Sequence, residues 1–100
     1  MREAKIIVPD HYNDSSAPPD SFRQRFEERI LLQFDGFTKY AAHGAWVGPR
    51  GVQVEAITVY IIAATLCDNR RLVELAEYVK AELRQDAVYL VKPSGTVHFI

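Results

Sequence analysis

The sequence has little of what would hold a chain together covalently or draw it to a charged surface. It contains one cysteine, Cys67, which excludes an internal disulfide. A metal site built from two or more cysteines is excluded for the same reason. Its 12 basic and 13 acidic residues give a formal charge of −1, so no strong overall field attracts nucleic acid or anionic membranes. We therefore expect a domain held together by its apolar core, in a reducing compartment such as the cytoplasm.

A long apolar run is also missing near the start of the chain. Ile6, Ile7 and Val8 are followed at once by Pro9, and this run is too short for a signal sequence or a membrane span. Secretion and membrane insertion are not expected. The balance of 48% apolar and 25% charged residues is that of a globular protein, and residues 1–100 fit one domain.

Two segments have the periodicity of amphipathic helices. The first is predicted to start near Pro19 or Asp20 and to end at Gly36, because a residue without Cβ accepts a positive φ. The second is expected to follow Asp68 as its N-cap. The apolar residues that define the two helix faces are Phe22, Phe26, Ile30 and Phe34 in the first, and Leu72, Leu75, Ala76, Val79 and Leu83 in the second.

The remaining apolar segments predict strands. The run at residues 6–8 is expected to be a central strand, and residues 87–91 and 96–100 to be the last two. Residues 37–47 and 52–64 are joined by Gly48-Pro49-Arg50-Gly51, which favours a type I turn and therefore a hairpin. The order βαββαβ plus a short C-terminal strand predicts a ferredoxin-like α+β fold. This is a split βαβ sandwich with both helices on one face of an antiparallel sheet.

The hairpin turn also fixes which residues of the two long strands lie opposite each other. Counting outward from the turn places Gly44 opposite Glu55, with Trp46 as a diagonal neighbour and room above the glycine for a ligand atom. This face is predicted to lie under the helices. His43 and Tyr60 are then predicted on the helix-free face.

The helix-free face is predicted to be an interface between copies of the chain. In this assignment it carries Phe37, Val54, Tyr60 and Ile62 together with several alanines, which is too apolar for a surface left in water. We expect the same face of a second copy to cover it, giving a homo-oligomer. A small molecule or another protein is the further possible partner.

Glu55, Trp46, His43 and Tyr60 are the candidate ligand-binding residues. A carboxylate near the middle of a sheet needs a cation, a hydrogen-bond donor or a ligand, although a wetted side chain or an ion pair with Arg50 would also satisfy Glu55. Trp46 is either a stacking platform or an apolar lid over the core. His43 can equally be a hydrogen-bonded interface residue.

Three other polar residues have weaker claims to chemistry. Asp10, followed by His11, is similar to the acid that some ferredoxin-like ribonucleases carry at the end of the first strand. Cys67 lies near a helix start, where a thiol pKa can fall, but no base adjoins it in sequence, and we expect a small buried thiol. His98 is expected to be structural.

A longer pattern resembles small bacterial and phage-associated domains of unknown function. The matching residues are Phe34-x-Gly36-Phe37-Thr38, Gly44-x-Trp46, Gly51, Glu55, Gln85-x-Ala87-Val88-Tyr89 and Val97-x-Phe99-Ile100. The resemblance covers most of residues 5–100. It implies a ferredoxin-like domain and a role for Trp46 and Glu55, and it implies no activity.

Three functions remain open at this stage. The favoured one is a homo-oligomeric domain that binds a small ligand or a partner protein. The second is a small enzyme of the dimeric α+β barrel type, in which His43 or Glu55 moves a proton. The third is an RNA-binding or ribonuclease-like domain using Asp10, which is weakest because the central strands lack the aromatic and basic residues that stack bases. No metal triad, phosphate loop or nucleophile–base pair occurs at useful spacing, so neither a metal nor a cofactor is expected.

Overall fold

The computed structural model describes residues 1–100 as a five-stranded antiparallel sheet packed against two helices. Its elements are β1 (Arg2–Pro9), α1 (Asp20–Phe34), β2 (Thr38–Gly48), β3 (Gly51–Ala64), α2 (Asn69–Glu82), β4 (Tyr89–Val91) and β5 (Val97–Phe99). The strand order in the sheet is β2-β3-β1-β4-β5. The predicted ferredoxin-like fold, with a closing strand after the second βαβ half, is confirmed.

The core lies between the sheet and the two helices, and the predicted helix faces supply half of its residues. Every second residue of β1 points into it, and these are Ala4, Ile6 and Val8. The helices contribute Phe22, Phe26 and Ile30 from α1 and Leu72, Leu75, Ala76 and Val79 from α2. Because apolar side chains three or four residues apart share one side of a helix, each helix covers the sheet with a continuous stripe.

The β2–β3 hairpin has the predicted register. Gly44 lies opposite Glu55, and Lys39 lies opposite Tyr60. The half of β3 nearer α2 also pairs with β1, over residues 57–64. The other half, towards the turn, pairs only with β2, and its residues Val52 and Val54 are strongly exposed, as is Val47 of β2 opposite Val52.

The prediction of which hairpin face meets the helices is wrong. Tyr60 is fully buried, and its ring packs edge-on against Phe26 of α1, with ring centroids 5.0 Å apart. Ile62 belongs to the same core cluster. Because side chains alternate along a strand, Glu55 and Trp46 therefore lie on the helix-free side.

We call this helix-free side of the sheet the open face. It carries Ile7, Tyr40, Trp46, Glu55, Ile57, Val59, Tyr89 and Phe99, and of these Ile57 and Val59 are buried by their neighbours. Both sides of the hairpin are rich in apolar residues near β1, so alternation alone did not show which side the helices would cover. The deciding contacts come from α1, whose polar side chains reach the Tyr60 hydroxyl group.

Three local expectations also need correction. Asp35, and not Gly36, takes the left-handed conformation after α1, with φ 66°. Asp68 occupies the predicted N-cap position of α2, but its side chain makes no cap there and instead accepts hydrogen bonds from Thr65, the N-cap residue of the short 3-10 turn Leu66–Asp68. Cys67 is exposed and not buried. Neither helix combines the length and the apolar composition that a membrane crossing requires.

Candidate functional site

Glu55 is a carboxylate without a partner on the open face. It is only partly exposed, lies opposite Gly44, and takes part in no hydrogen bond or ion pair with another side chain. Burial raises the pKa of Glu55, the neighbouring Asp10 carboxylate raises it further, and His11 opposes the rise. The end of β1 therefore brings a second acid and an imidazole close to Glu55.

Trp46 lies beside this carboxylate, and its ring folds back along β2 over Gly44. A Cβ atom at Gly44 would lie only 2.7 Å from Trp46 Cζ3 and 3.7 Å from Ile57 Cδ1. The room predicted above the glycine is thus filled by the tryptophan ring, and only glycine at this position permits so close an approach. The ring helps to cover Ile57 and stays 45% exposed, so part of it is open to solvent.

The four predicted ligand-binding residues do not form one group. Glu55 and Trp46 are diagonal neighbours on the open face. His43 is exposed on the opposite side of the same ladder, where it pairs with Ala56. Tyr60 is enclosed beneath α1.

A second group of polar side chains lies on the helix side of the sheet, where α1 passes β3 and the edge strand β2. We call Asp10, Arg23, Glu27, Lys39, Thr58 and Tyr60 the charged cluster. Asp10 Oδ1 accepts hydrogen bonds from Thr58 Oγ1 at 2.7 Å and from Arg23 Nη2 at 3.1 Å. These contacts tie the end of β1 to both α1 and β3.

The other half of the charged cluster is centred on Glu27. Its Oε2 atom accepts hydrogen bonds from the Tyr60 hydroxyl at 2.6 Å and from Lys39 Nζ at 2.7 Å. Arg23 Nη1 in turn donates to the Tyr60 oxygen at 2.9 Å. Burial pushes the pKa of Glu27 upward, but the hydrogen bonds from Lys39 and Tyr60 outweigh it and leave the pKa lowered. Burial, followed by the hydrogen bond to Glu27, raises the pKa of Tyr60 strongly.

Most of the charged cluster leaves no signal in the sequence. Arg23 and Glu27 lie four residues apart and outside the apolar stripe of α1, a position that is typical of solvent-facing residues. A spacing of four places two residues on the same side of a helix but does not show what that side contacts. The spacing therefore does not indicate that these two side chains reach the sheet. The one signal in the sequence is Asp10 at the end of the first strand, where a carboxylate also fits a catalytic acid.

The chain matches no protein-family model and no curated protein sequence. Among solved structures it is similar to a phage SAM lyase in complex with S-methyl-5'-thioadenosine, with a TM-score of 0.74 and 15% identity over 98% of this chain and 87% of that one. The apo state of a phage SAM lyase gives a TM-score of 0.71 and 16% identity, over 96% and 82% of the two chains. At such low identity the similarity shows the fold alone.

Proposed function

We propose that this chain is a homo-oligomeric domain that binds an adenosine-bearing thioether or sulfonium compound on its open face, with Glu55 and Trp46 as ligand-binding residues. The observation that carries the proposal is the unpartnered Glu55 carboxylate beside a half-exposed Trp46 ring on an apolar surface. The choice of ligand is supported by the shared fold with a phage SAM lyase solved with S-methyl-5'-thioadenosine.

Glu55 suits the polar and cationic parts of such a ligand. A carboxylate accepts hydrogen bonds from ribose hydroxyl groups, and it attracts the positive sulfur of S-adenosylmethionine. Because the neighbouring Asp10 carboxylate makes the charged form of Glu55 less favourable, a bound cation would relieve this repulsion. A positively charged ligand therefore gains more here than at an ordinary exposed glutamate.

Trp46 suits the adenine ring. Stacking of a base on an aromatic side chain contributes about 1–3 kcal/mol, and a tryptophan face also attracts a cation. The ring is held in place by its close approach to Gly44 and Ile57, so little of its freedom remains to be lost on binding.

A second copy of the chain would complete the site. Phe99 is 72% exposed on the open face, and Tyr40 and Trp46 are about half exposed there. Large exposed apolar patches of this kind are typical of protein interfaces. A ligand beside Glu55 would then be enclosed between two sheets, where its polar contacts are stronger than in water.

A lyase is the second candidate function, because the unpartnered Glu55 carboxylate, whose pKa burial raises, can accept a proton from a ligand beside it. In this reaction S-adenosylmethionine would give S-methyl-5'-thioadenosine. The bond from sulfur to the amino-acid side chain breaks, and its electron pair stays on sulfur, which becomes neutral. The neighbouring carbon of the amino-acid fragment loses a proton to Glu55, and the electrons of that C–H bond form a carbon–carbon double bond in the released fragment.

Isothermal titration calorimetry with S-methyl-5'-thioadenosine and with S-adenosylmethionine tests the binding proposal. We expect both to bind the wild-type protein, and Glu55→Gln and Trp46→Leu each to weaken binding about tenfold or more, which corresponds to about 1.4 kcal/mol. Val54→Thr changes an exposed residue on the other side of β3 and should leave affinity unchanged. Absence of binding to the wild type, or full affinity in both site variants, would overturn the proposal.

Mass spectrometry tests the lyase reaction in the same samples. Incubation with S-adenosylmethionine should release S-methyl-5'-thioadenosine with the wild type and not with Glu55→Gln. His43→Asn removes the other predicted proton carrier, which lies across the sheet from Glu55. Loss of turnover in His43→Asn with turnover retained in Glu55→Gln would contradict the role given to Glu55.

A further inference from the structure

We propose that the charged cluster is a second ligand site, which binds the ammonium and carboxylate groups of a free α-amino acid. This site lies on the helix side of the sheet, and the proposal stands independently of the adenosine compound assigned to the open face. It rests on the shape of the surface there, on unused hydrogen-bonding atoms and on the balance of charge.

The charged cluster borders a depression of about 340 Å³ beside the edge strand β2. Asp10, Arg23, Lys39 and Thr58 line it, together with Tyr40 and Ala41. The side chains of Asp10 and Arg23 are 29% and 27% exposed, and that of Lys39 is 44% exposed. The charged groups are therefore partly shielded from water yet remain reachable from solvent.

The hydrogen bonds within the charged cluster leave part of its capacity unused. Asp10 accepts both of its hydrogen bonds on Oδ1, which leaves Oδ2 without a donor. Lys39 uses one of its three N–H groups, on Glu27. One acceptor and two donors thus remain beside the same depression.

The balance of charge selects the kind of ligand. Arg23 and Lys39 are offset by Asp10 and Glu27, so a simple anion would meet the Asp10 carboxylate and a simple cation would meet Lys39. A zwitterion avoids both repulsions. Its ammonium group can donate to Asp10 Oδ2 while its carboxylate accepts from Lys39 Nζ, and both hydrogen bonds are charge-assisted.

The two ends of this site differ in rigidity. Asp10 is fixed by Arg23 and Thr58, so the acceptor for the ammonium group is oriented before the ligand arrives. Lys39 lies on the edge strand β2 and is held only by its contact with Glu27 of α1. It can therefore adjust its position to the carboxylate of the ligand. The amino-acid side chain would then lie along the edge strand β2 beside Ala41, which also lines the depression.

Titration of the full chain with each common L-amino acid, followed by amide chemical shifts, tests the proposal. We expect at least one amino acid to bind at millimolar concentration or below and to shift signals of residues 10, 39 and 58. The corresponding hydroxy acid, which lacks the ammonium group, and the corresponding primary amide, which lacks the carboxylate, should each bind about tenfold more weakly or worse. Glu77→Gln removes an exposed carboxylate on α2, away from the charged cluster, and is the matched control that should bind the amino acid as the wild type does.

Asp10→Asn and Lys39→Gln should each weaken the same binding about tenfold. Lys39 is the more exposed of the two, so Lys39→Gln keeps the test valid if Asp10→Asn does not fold. The proposal is overturned if no amino acid shifts these signals. It is also overturned if the wild type binds the two analogues as tightly as the amino acid, or if Lys39→Gln binds the amino acid as tightly as the wild type does. Because S-methyl-5'-thioadenosine has no amino-acid group, its binding or failure to bind reports on the open face separately.

Discussion

At the scale of single residues, two glutamates of this protein have opposite electrostatic environments. Glu27 accepts hydrogen bonds from Lys39 and Tyr60, and these outweigh the effect of burial and lower its pKa. Glu55 has no such donor, so burial and the nearby Asp10 carboxylate raise its pKa. The charged form of Glu27 therefore stabilises the fold, and the charged form of Glu55 destabilises it.

Replacing each glutamate by glutamine should shift stability in opposite directions at neutral pH. The folded-state pKa of Glu55 lies above its unfolded value, so its charge costs stability at neutral pH and this cost disappears as pH falls through the raised pKa. Glu55→Gln should therefore unfold at a higher temperature than the wild type at neutral pH, with the difference vanishing in acid. Circular dichroism melts over a range of pH measure this.

Glu27→Gln is the paired variant for the same measurement. The folded-state pKa of Glu27 lies below its unfolded value, so its contribution is present above the unfolded pKa and is lost as pH falls through the lowered one. We expect Glu27→Gln to melt below the wild type at neutral pH, with the gap closing only in strong acid. A shift in the same direction for both variants would show that the two environments are not opposite.

At the scale of the elements, the hairpin shows how far sequence patterns reach. Its turn fixes the register, so the pairing of Gly44 with Glu55 was predictable by counting. The side of the hairpin that the helices cover was not predictable from the sequence, because apolar residues occupy both faces of β3 between Ile57 and Ile62. The covered side depends on Tyr60 meeting Phe26 of α1, which is a contact between elements.

The end of α1 provides a prediction on a single turn. Asp35 has φ 66°, so Asp35→Ala should cost about 1 kcal/mol, because a Cβ without a compensating polar group is strained in the left-handed region. Asp35→Gly should not lose stability by this route. Gly36→Ala is the control, since its φ is not positive and its Cβ would meet nothing within 4 Å. The free energy of unfolding is measured by urea unfolding. If Gly36→Ala loses about 1 kcal/mol and Asp35→Ala does not, Gly36 is the capping residue after all.

The apolar face of α1 should be a major source of stability. Phe26 is fully buried against Tyr60, so Phe26→Ala should cost about 3–5 kcal/mol, as large-to-small core substitutions do. Leu32→Ala on the same helix removes a side chain that is 86% exposed and should change stability by about 0.5 kcal/mol or less. Equal losses in the two variants, measured by urea unfolding, would mean that the packing of α1 is misassigned.

At the scale of the whole molecule, the sheet is covered on one side and open on the other. The sequence indicated an apolar helix-free face, but it placed Tyr60 and Ile62 there, and the structure has Tyr40, Trp46 and Phe99 in their place. The charged cluster was beyond prediction for a related reason. Arg23 and Tyr60 are separated by 37 positions in the sequence, and Asp10 and Thr58 by 48. A pattern within one helix or strand does not indicate hydrogen bonds over such separations.

The proposed homo-oligomer leads to a test with a matched pair of exposed apolar residues. Phe99→Lys places a charge on the open face, where we expect a second copy, and should convert the assembly to monomers. Leu32→Lys makes the same kind of change on α1 and should leave the assembly intact. Light scattering coupled to size-exclusion chromatography measures both masses. A monomeric wild-type protein, or dissociation by Leu32→Lys alone, would contradict the proposed interface.

A crystal structure of the protein grown with S-methyl-5'-thioadenosine would show whether the open face holds this compound between Glu55 and Trp46. We predict density for the compound on the open face, with its adenine ring against Trp46 and a ribose hydroxyl group within hydrogen-bonding distance of Glu55. Density for the compound only on the helix side of the sheet would show that Glu55 and Trp46 do not bind it. The same would follow if a crystal grown at a saturating concentration of the compound had only water on the open face.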